Sequence, residues 1–232
     1  MTEETLRTEM LLGRDALDIL RNSHVAVFGL GGVGSWCAEA LARTGVGTLT
    51  IVDDDRFSLS NINRQAGALH STAGLLKTEV IARRLLDIAP GLRLHPISAR
   101  YLPENRESFF PVQYDFLADA IDSVSSKVDL IATAVARGIP LISSMGTGNK
   151  LDASRLKVMD LAETSGCPLA RVMRRELRRR DVTHLDVVCS TEPPVTPDVP
   201  EHERPVPGSV MWVPASAGLL MAQHIVRKLI DQ

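Results

Sequence analysis

The sequence predicts an α/β protein: a Rossmann-like, open, mainly parallel sheet with helices on both faces, extended by antiparallel strands and closed by a C-terminal helix. Three observations carry this. Short apolar runs suited to buried strands alternate with amphipathic stretches at helical spacing over residues 21–150. One run, Val25 to Phe28, leads through Gly29-Leu30-Gly31-Gly32-Val33-Gly34 directly into a helical segment. Another run, Thr48 to Val52, ends in Asp53-Asp54-Asp55, about twenty residues past Gly34.

Each element follows from its own residues. Thr2 to Leu20 reads as a helix with Leu6, Met10, Leu11 and Leu12 on one side. After the glycine turn, Val33, Trp36, Cys37, Ala40 and Leu41 recur at helical spacing. The glycines let the backbone turn tightly and approach a phosphate, and the free N–H groups of the helix start face an anion. An acid at the end of the next strand can accept hydrogen bonds from ribose hydroxyls. Gly29, Gly31, Gly32, Gly34 and Asp53 are therefore candidates for an adenine-nucleotide site; the same turn read as a mere packing device is the plainer alternative.

Ser71 to Ile88 is expected to be a helix carrying Lys77 near its start, and Leu92 to Ser98 a strand. Pro103 to Phe110 reads as a short helix and Tyr114 to Ile121 as a strand ending in Asp119-Ala120-Ile121-Asp122-Ser123. Carboxylates there face the ligand crevice of an open α/β sheet. Asp119 or Ser123 also suits the N-cap of a helix over Val124 to Arg137. Pro140 to Met145 is a further buried strand, followed by the turn-rich Gly146 to Lys150. Beyond residue 150 the alternation weakens, so 151–232 is read as the substrate-facing part of one 1–232 domain. Leu156 to Leu161 and Leu185 to Cys189 are expected as antiparallel additions.

Cys167 to Arg180 reads as a helix with Leu169, Val172, Met173 and Leu177 on its apolar side. Arg171, Arg174, Arg175 and Arg178 form a stripe on another side, extended by Arg179 and Arg180. That stripe is either a solvated face or a surface that tracks RNA phosphates. Cys189 reads as an inert strand cysteine, since an acyl-transfer role needs an exposed, electropositive setting. Glu192 to Gly208 holds six prolines and reads as a mobile crossover loop, and Val210 to Ile230 closes the chain as a packed helix.

Composition bounds the rest. The 232 residues suffice for one large core, and 44% hydrophobic with 23% charged residues is ordinary for a globular protein. A formal net charge of −2 gives no global field for nucleic acid, so any RNA contact needs a local patch. Cys37, Cys167 and Cys189 are far apart and make no CxxC pair, which excludes a four-cysteine zinc site. The polar N-terminus is unlike a secretory signal. The apolar region Val210 to Val226 is shorter than a membrane span, so no stable membrane insertion is expected and the cytoplasm is the expected compartment.

The loop after the second strand selects the chemistry. Asp53-Asp54-Asp55-Arg56-Phe57-Ser58-Leu59-Ser60-Asn61-Ile62-Asn63-Arg64-Gln65, with Lys77 beyond, offers donors for a triphosphate rather than room for nicotinamide. An NAD-dependent dehydrogenase is thereby a distant alternative. The DxD followed by Ser60-Asn61-Ile62-Asn63-Arg64-Gln65 resembles the ubiquitin-activating-enzyme-like adenylating superfamily. The resemblance implies ATP and Mg2+ as cofactors and a nucleotide site including Asp55, Asn61, Arg64, Gln65 and Lys77 besides the glycines and Asp53. It implies catalytic roles for Arg64 and Lys77 on phosphate, and Asp122 as the magnesium-binding and catalytic carboxylate. It also implies a homodimer in which Arg7 reaches the partner's ATP site.

Within that superfamily the chain looks most similar to the tRNA threonylcarbamoyladenosine dehydratases, on Arg7-Thr8-Glu9, Asp119-Ala120-Ile121-Asp122-Ser123, Cys167-Pro168-Leu169-Ala170 and Ser190-Thr191-Glu192. That branch implies tRNA carrying threonylcarbamoyladenosine as partner, activated through an acyl-adenylate and cyclised with loss of water. Two other readings stay open on sequence. One is adenylation of the C-terminal glycine of a small sulfur-carrier protein. The other is a non-catalytic nucleotide-binding scaffold for a cysteine desulfurase or sulfur-acceptor partner.

Overall fold

A computed structural model describes residues 3–196, 198–199 and 207–231. The seven strands are β1 (His24–Phe28), β2 (Thr48–Val52), β3 (Arg93–Ile97), β4 (Phe116–Asp119), β5 (Leu141–Ser144), β6 (Leu156–Asp160) and β7 (Asp186–Ser190). They form one sheet in the order β3-β2-β1-β4-β5-β7-β6. The helices are α1 (Leu6–Leu12), α2 (Arg14–Asn22), α3 (Gly34–Thr44), α4 (Lys77–Ile88), α5 (Val124–Ala136), α6 (Pro168–Arg178) and α7 (Trp212–Ile230). Strand order reverses between β1 and β4. The carboxyl ends of these two strands therefore open a crevice where an α/β sheet binds ligands.

Alternation along the strands builds two cores. Val25 and Val27 of β1 join Leu49 and Ile51 of β2 on one face, under Leu17 of α2, Leu41 of α3, Ile81 of α4 and Met221 of α7. Ala26 and Phe28 point to the other face, where Leu117, Tyr101, Phe109, Tyr114 and Leu130 of α5 enclose them. A third cluster seats α6, through Met173 and Leu177, against Ile131 of α5 and Val187 of β7. Pro96 is tolerated in β3 because that strand lies at the sheet edge, paired only with β2.

Several boundaries differ from the sequence expectation, for identifiable reasons. The N-terminal helix is broken at Gly13, whose φ of 87° only glycine adopts readily, into α1 and α2. The helix expected from Ser71 starts at Lys77 instead. Gly74, at φ 86°, donates its N–H to Phe57 O, and Arg56 bridges to Leu76, so the chain before Lys77 is drawn across the 53–65 loop. The two added strands form an antiparallel pair, with β7 itself running parallel to β5. Asp119 does not cap α5; Ser123 takes the N-cap position and makes no side-chain cap bond.

Of the proline-rich crossover expected over Glu192 to Gly208, residues 197 and 200–206 lie outside the described residues. Its two ends converge on Asn149: the Asn149 N–H donates to Gly208 O, the Gly208 N–H to Asn149 Oδ1, and the Val195 N–H to Asn149 O. Among the described residues no helix is long and apolar enough to cross a membrane.

Candidate active site

At the β1/β4 crevice lies a cavity of about 770 Å³, lined by the glycine turn, the 53–65 loop, Lys77, the 120–123 loop, the 144–148 loop and Pro207, Ser209 and Pro214. Its size suits a nucleotide. Gly29 turns at φ 88°, and a Cβ there would stand 2.6 Å from Ala120 O. A Cβ on Gly34 would stand 1.8 Å from Gly29 O. These two glycines are required by packing of the turn itself. Gly31 differs: its Cβ would meet nothing nearer than Gln65 Nε2 at 3.9 Å. The fold has room for a side chain there, so packing of the turn does not require glycine at 31.

Side chains lock the turn to the loop beside it. Ser35 Oγ donates to Gly31 O at 2.6 Å and accepts the Ala66 N–H at 3.2 Å. Trp36 Nε1 donates to Arg64 O at 3.0 Å. The loop itself is wound by Asn61, whose carbonyl accepts both the Arg64 and Gln65 N–H groups while its side-chain oxygen accepts the Ser58 N–H. Arg64 Nη1 donates to Ser60 O and Asn63 Oδ1, which fixes the guanidinium at the cavity wall. Gln65 is buried with Oε1 lacking a hydrogen-bond partner.

Asp53 holds the centre. Its Oδ2 accepts the Leu30 N–H at 2.6 Å, its Oδ1 accepts the Asp55 N–H at 2.8 Å, and Lys77 Nζ lies 3.7 Å away. Burial pushes its carboxyl above the usual range, against the pull of Lys77 and of the two N–H groups. The acid thus pins the glycine turn to the end of β2, a duty the sequence did not announce, with lone pairs left for a ribose. Lys77 is the first residue of α4, is only 7% exposed, and pairs with Asp55 Oδ2 at 2.8 Å. Both acids offset the mismatch of a cation at a helix N-terminus.

Asp122 stands exposed on the loop after β4 and lines the cavity. One carboxylate oxygen each of Asp53, Asp54 and Asp55 lies within 4.8 Å of the others, and Asp122 is not part of that group. Carboxylates lining a cavity suit Mg2+, which takes one or two of them plus phosphate oxygens. Arg7 does not line the cavity of its own chain; it is exposed on α1.

Sequence reading missed the support beneath Asp122. Asp119 and Lys127, both fully buried, pair at 2.9 Å. Ser143 Oγ donates to Asp119 Oδ2, the Ile121 N–H donates to Asp119 Oδ1, and Lys127 Nζ donates to Ile121 O. The network fixes the 119–122 backbone. The available signal was a lysine on the apolar side of α5. Cys167, the N-cap of α6, and Cys189 on β7 are buried together beside Gly146. The hydrogen bond with Cys189, aided by backbone N–H groups and against burial, lowers the Cys167 pKa, and the same hydrogen bond, then burial, raises that of Cys189. All three cysteines are buried, which agrees with the inert reading of Cys189.

The arrangement is thus a glycine turn, two fixed cations and acids around one cavity of nucleotide size. Known proteins are similar to this chain over most of its length. The tRNA threonylcarbamoyladenosine dehydratase of Bacillus subtilis is 38% identical over 243 residues, covering 99% of this chain and 96% of that protein. That of Escherichia coli is 40% identical over 198 residues, covering 82% and 74%. The crystal structure of the E. coli tRNA N6-threonylcarbamoyladenosine dehydratase in complex with ATP superposes with a TM-score of 0.92 at 36% identity, over 99% of this chain and 94% of that one. The family model described as the ThiF family matches residues 5–232, taking in the glycine turn, the cation-bearing loop and the closing helix alike, and the chain belongs to that family.

Proposed function

We propose that this chain is an ATP-dependent tRNA threonylcarbamoyladenosine dehydratase. The carboxylate of the threonylcarbamoyl group attacks the α-phosphorus of ATP, and pyrophosphate leaves. The carbamoyl group of the same modification then closes onto the activated carbonyl and AMP leaves, so one water is lost overall. Closure is intramolecular, so proximity replaces an enzyme nucleophile. The glycine turn holds the phosphates, Asp53 the ribose, and Arg64 and Lys77 spread the charge that develops on the leaving pyrophosphate. Asp122 is the residue to hold Mg2+, which would supply further neutralisation of the phosphates.

One observation carries this reading: a cavity with fixed Arg64 and Lys77 around an open Gly31, in a chain aligned end to end with relatives of that name. A second copy of the chain completes the site in this reading. Met10 and Leu11 are 78% and 88% exposed on α1 next to Arg7, an apolar surface that a partner would cover.

The test is nucleoside mass analysis of threonylcarbamoyladenosine-bearing tRNA after incubation with the protein, ATP and magnesium. Loss of one water with AMP release is expected. AMP release that depends instead on a sulfur-carrier protein would overturn the reading in favour of carrier adenylation.

A further inference from the structure

We infer that the outer face of α6 is the surface on which the tRNA backbone lies, next to the modified nucleoside in the cavity; this rests on the dehydratase reading above. The helix starts at the cavity rim. Leu169, in its first turn, lines the nucleotide cavity and packs near Gly146. At about 1.5 Å of rise per residue, Arg171 stands only about 3 Å farther along the axis and Arg178 about 13 Å. A stripe of guanidinium groups therefore runs outward from the place where the reacting group must sit.

The stripe is built unlike a solvated helix face. A hollow of about 430 Å³ is lined by Arg171, Arg174, Arg175, Arg178 and Arg179 and by no acid among the described residues. Six arginines meet a single acid over residues 171–180, in a chain whose formal net charge is −2. Like charges three and four apart repel and weaken the helix by a few tenths of a kcal/mol per pair. An exposed face selected for folding alone would intersperse acids.

Glu176 neutralises only part of the stripe, pairing with Arg175 and Arg179. Arg174 is committed to Thr164 and Leu161. Arg171 and Arg178 have no ion-pair partner among the described residues. Arginine forks suit phosphate oxygens. A protein partner would need apolar anchors, and none of the exposed large hydrophobic side chains falls on α6.

The experiment compares the full-length wild type with Arg171→Ala/Arg175→Ala/Arg178→Ala and with the matching triple lysine variant. Affinity for threonylcarbamoyladenosine-bearing tRNA is measured over a salt series, with ATP affinity and Tm as folding controls. The alanine variant should bind tRNA at least about tenfold more weakly, with the slope of log K against log salt shallower by about 2. The lysine variant should keep most of that slope, and ATP affinity should hold within about twofold. Unchanged tRNA affinity and slope in a folded alanine variant would overturn the inference. So would a loss confined to binding of polyglutamate, which would mark an acidic-protein surface. Failure of the wild type itself to bind or dehydrate the tRNA would overturn the dehydratase reading instead.

Discussion

At the scale of single residues, the site depends on cations that the fold holds in place before any ligand arrives. Lys77 is nearly buried and sits at the positive end of α4, and Asp53 and Asp55 face it and fix its position. Lys77→Ala is expected to slow AMP formation about 10²- to 10³-fold, and Arg64→Ala similarly, measured as release of AMP under saturating tRNA. Gly34→Ala is a different kind of lesion. Its Cβ would fall 1.8 Å from Gly29 O, inside the turn, so the turn must open and α3 must shift. Weaker ATP binding together with a lower Tm is expected, read by calorimetry; an unchanged ATP affinity would show that the turn does not hold the phosphates. That Asn61, Arg64 and Lys77 would line one cavity was legible in the sequence, because they lie in or just beyond the loop that follows the second strand. The Asp119–Lys127–Ser143 network was not. It joins a strand end, a helix interior and another strand, and a lysine in a helix ordinarily reads as solvent-facing.

At the scale of elements, two contacts hold the glycine turn against its neighbours. Glu39 of α3 receives Arg84 Nε from α4 at 2.6 Å and Arg43 Nη2 from its own helix at 2.8 Å. Burial pushes the Glu39 carboxyl up, but hydrogen bonds from Arg84 and then Arg43 outweigh it and hold the pKa below its ordinary value of 4.5. A depressed folded pKa contributes stability above the unfolded value and loses it as pH falls through the folded one. Glu39→Gln should therefore destabilise by about 1–2 kcal/mol at neutral pH, with Arg84 partly exposed and screened. In urea titrations the gap to wild type should begin to close near pH 4.5 and vanish below the folded value. Gly218 of α7 provides the other contact. A Cβ there would stand 2.3 Å from Val33 O and 3.0 Å from Cys37 N. Gly218→Ala gains about 1 kcal/mol of helix propensity and loses about 1–3 kcal/mol to overpacking against backbone. A net loss of stability is expected, with the turn displaced through Val33. The strands were legible to within a residue or two, since apolar runs and turn residues are local signals. The break at Gly13 and the late start of α4 beyond Gly74 were not foreseen, because each depends on where the next segment must go rather than on periodicity.

At the scale of the whole molecule, the fold brings residues from well-separated stretches of the chain to one crevice, yet Arg7 stays outside it. It lies on α1, exposed beside Met10 and Leu11, whose side chains the described residues leave largely uncovered. If a second copy covers that surface, each cavity draws Lys77 from one chain and Arg7 from the other. That arrangement has a consequence no single-chain site shares. Arg7→Ala and Lys77→Ala should each be severely impaired alone. Mixed in equal amounts under conditions that allow subunit exchange, half of the dimers pair the two variants. In such a dimer one cavity holds an intact Lys77 with an intact Arg7, and the other lacks both. About a quarter of wild-type AMP formation should therefore return on mixing. A mixture no more active than the mean of the two variants, with exchange verified by mass, would place Arg7 outside the chemistry and leave the exposed face of α1 to some other use.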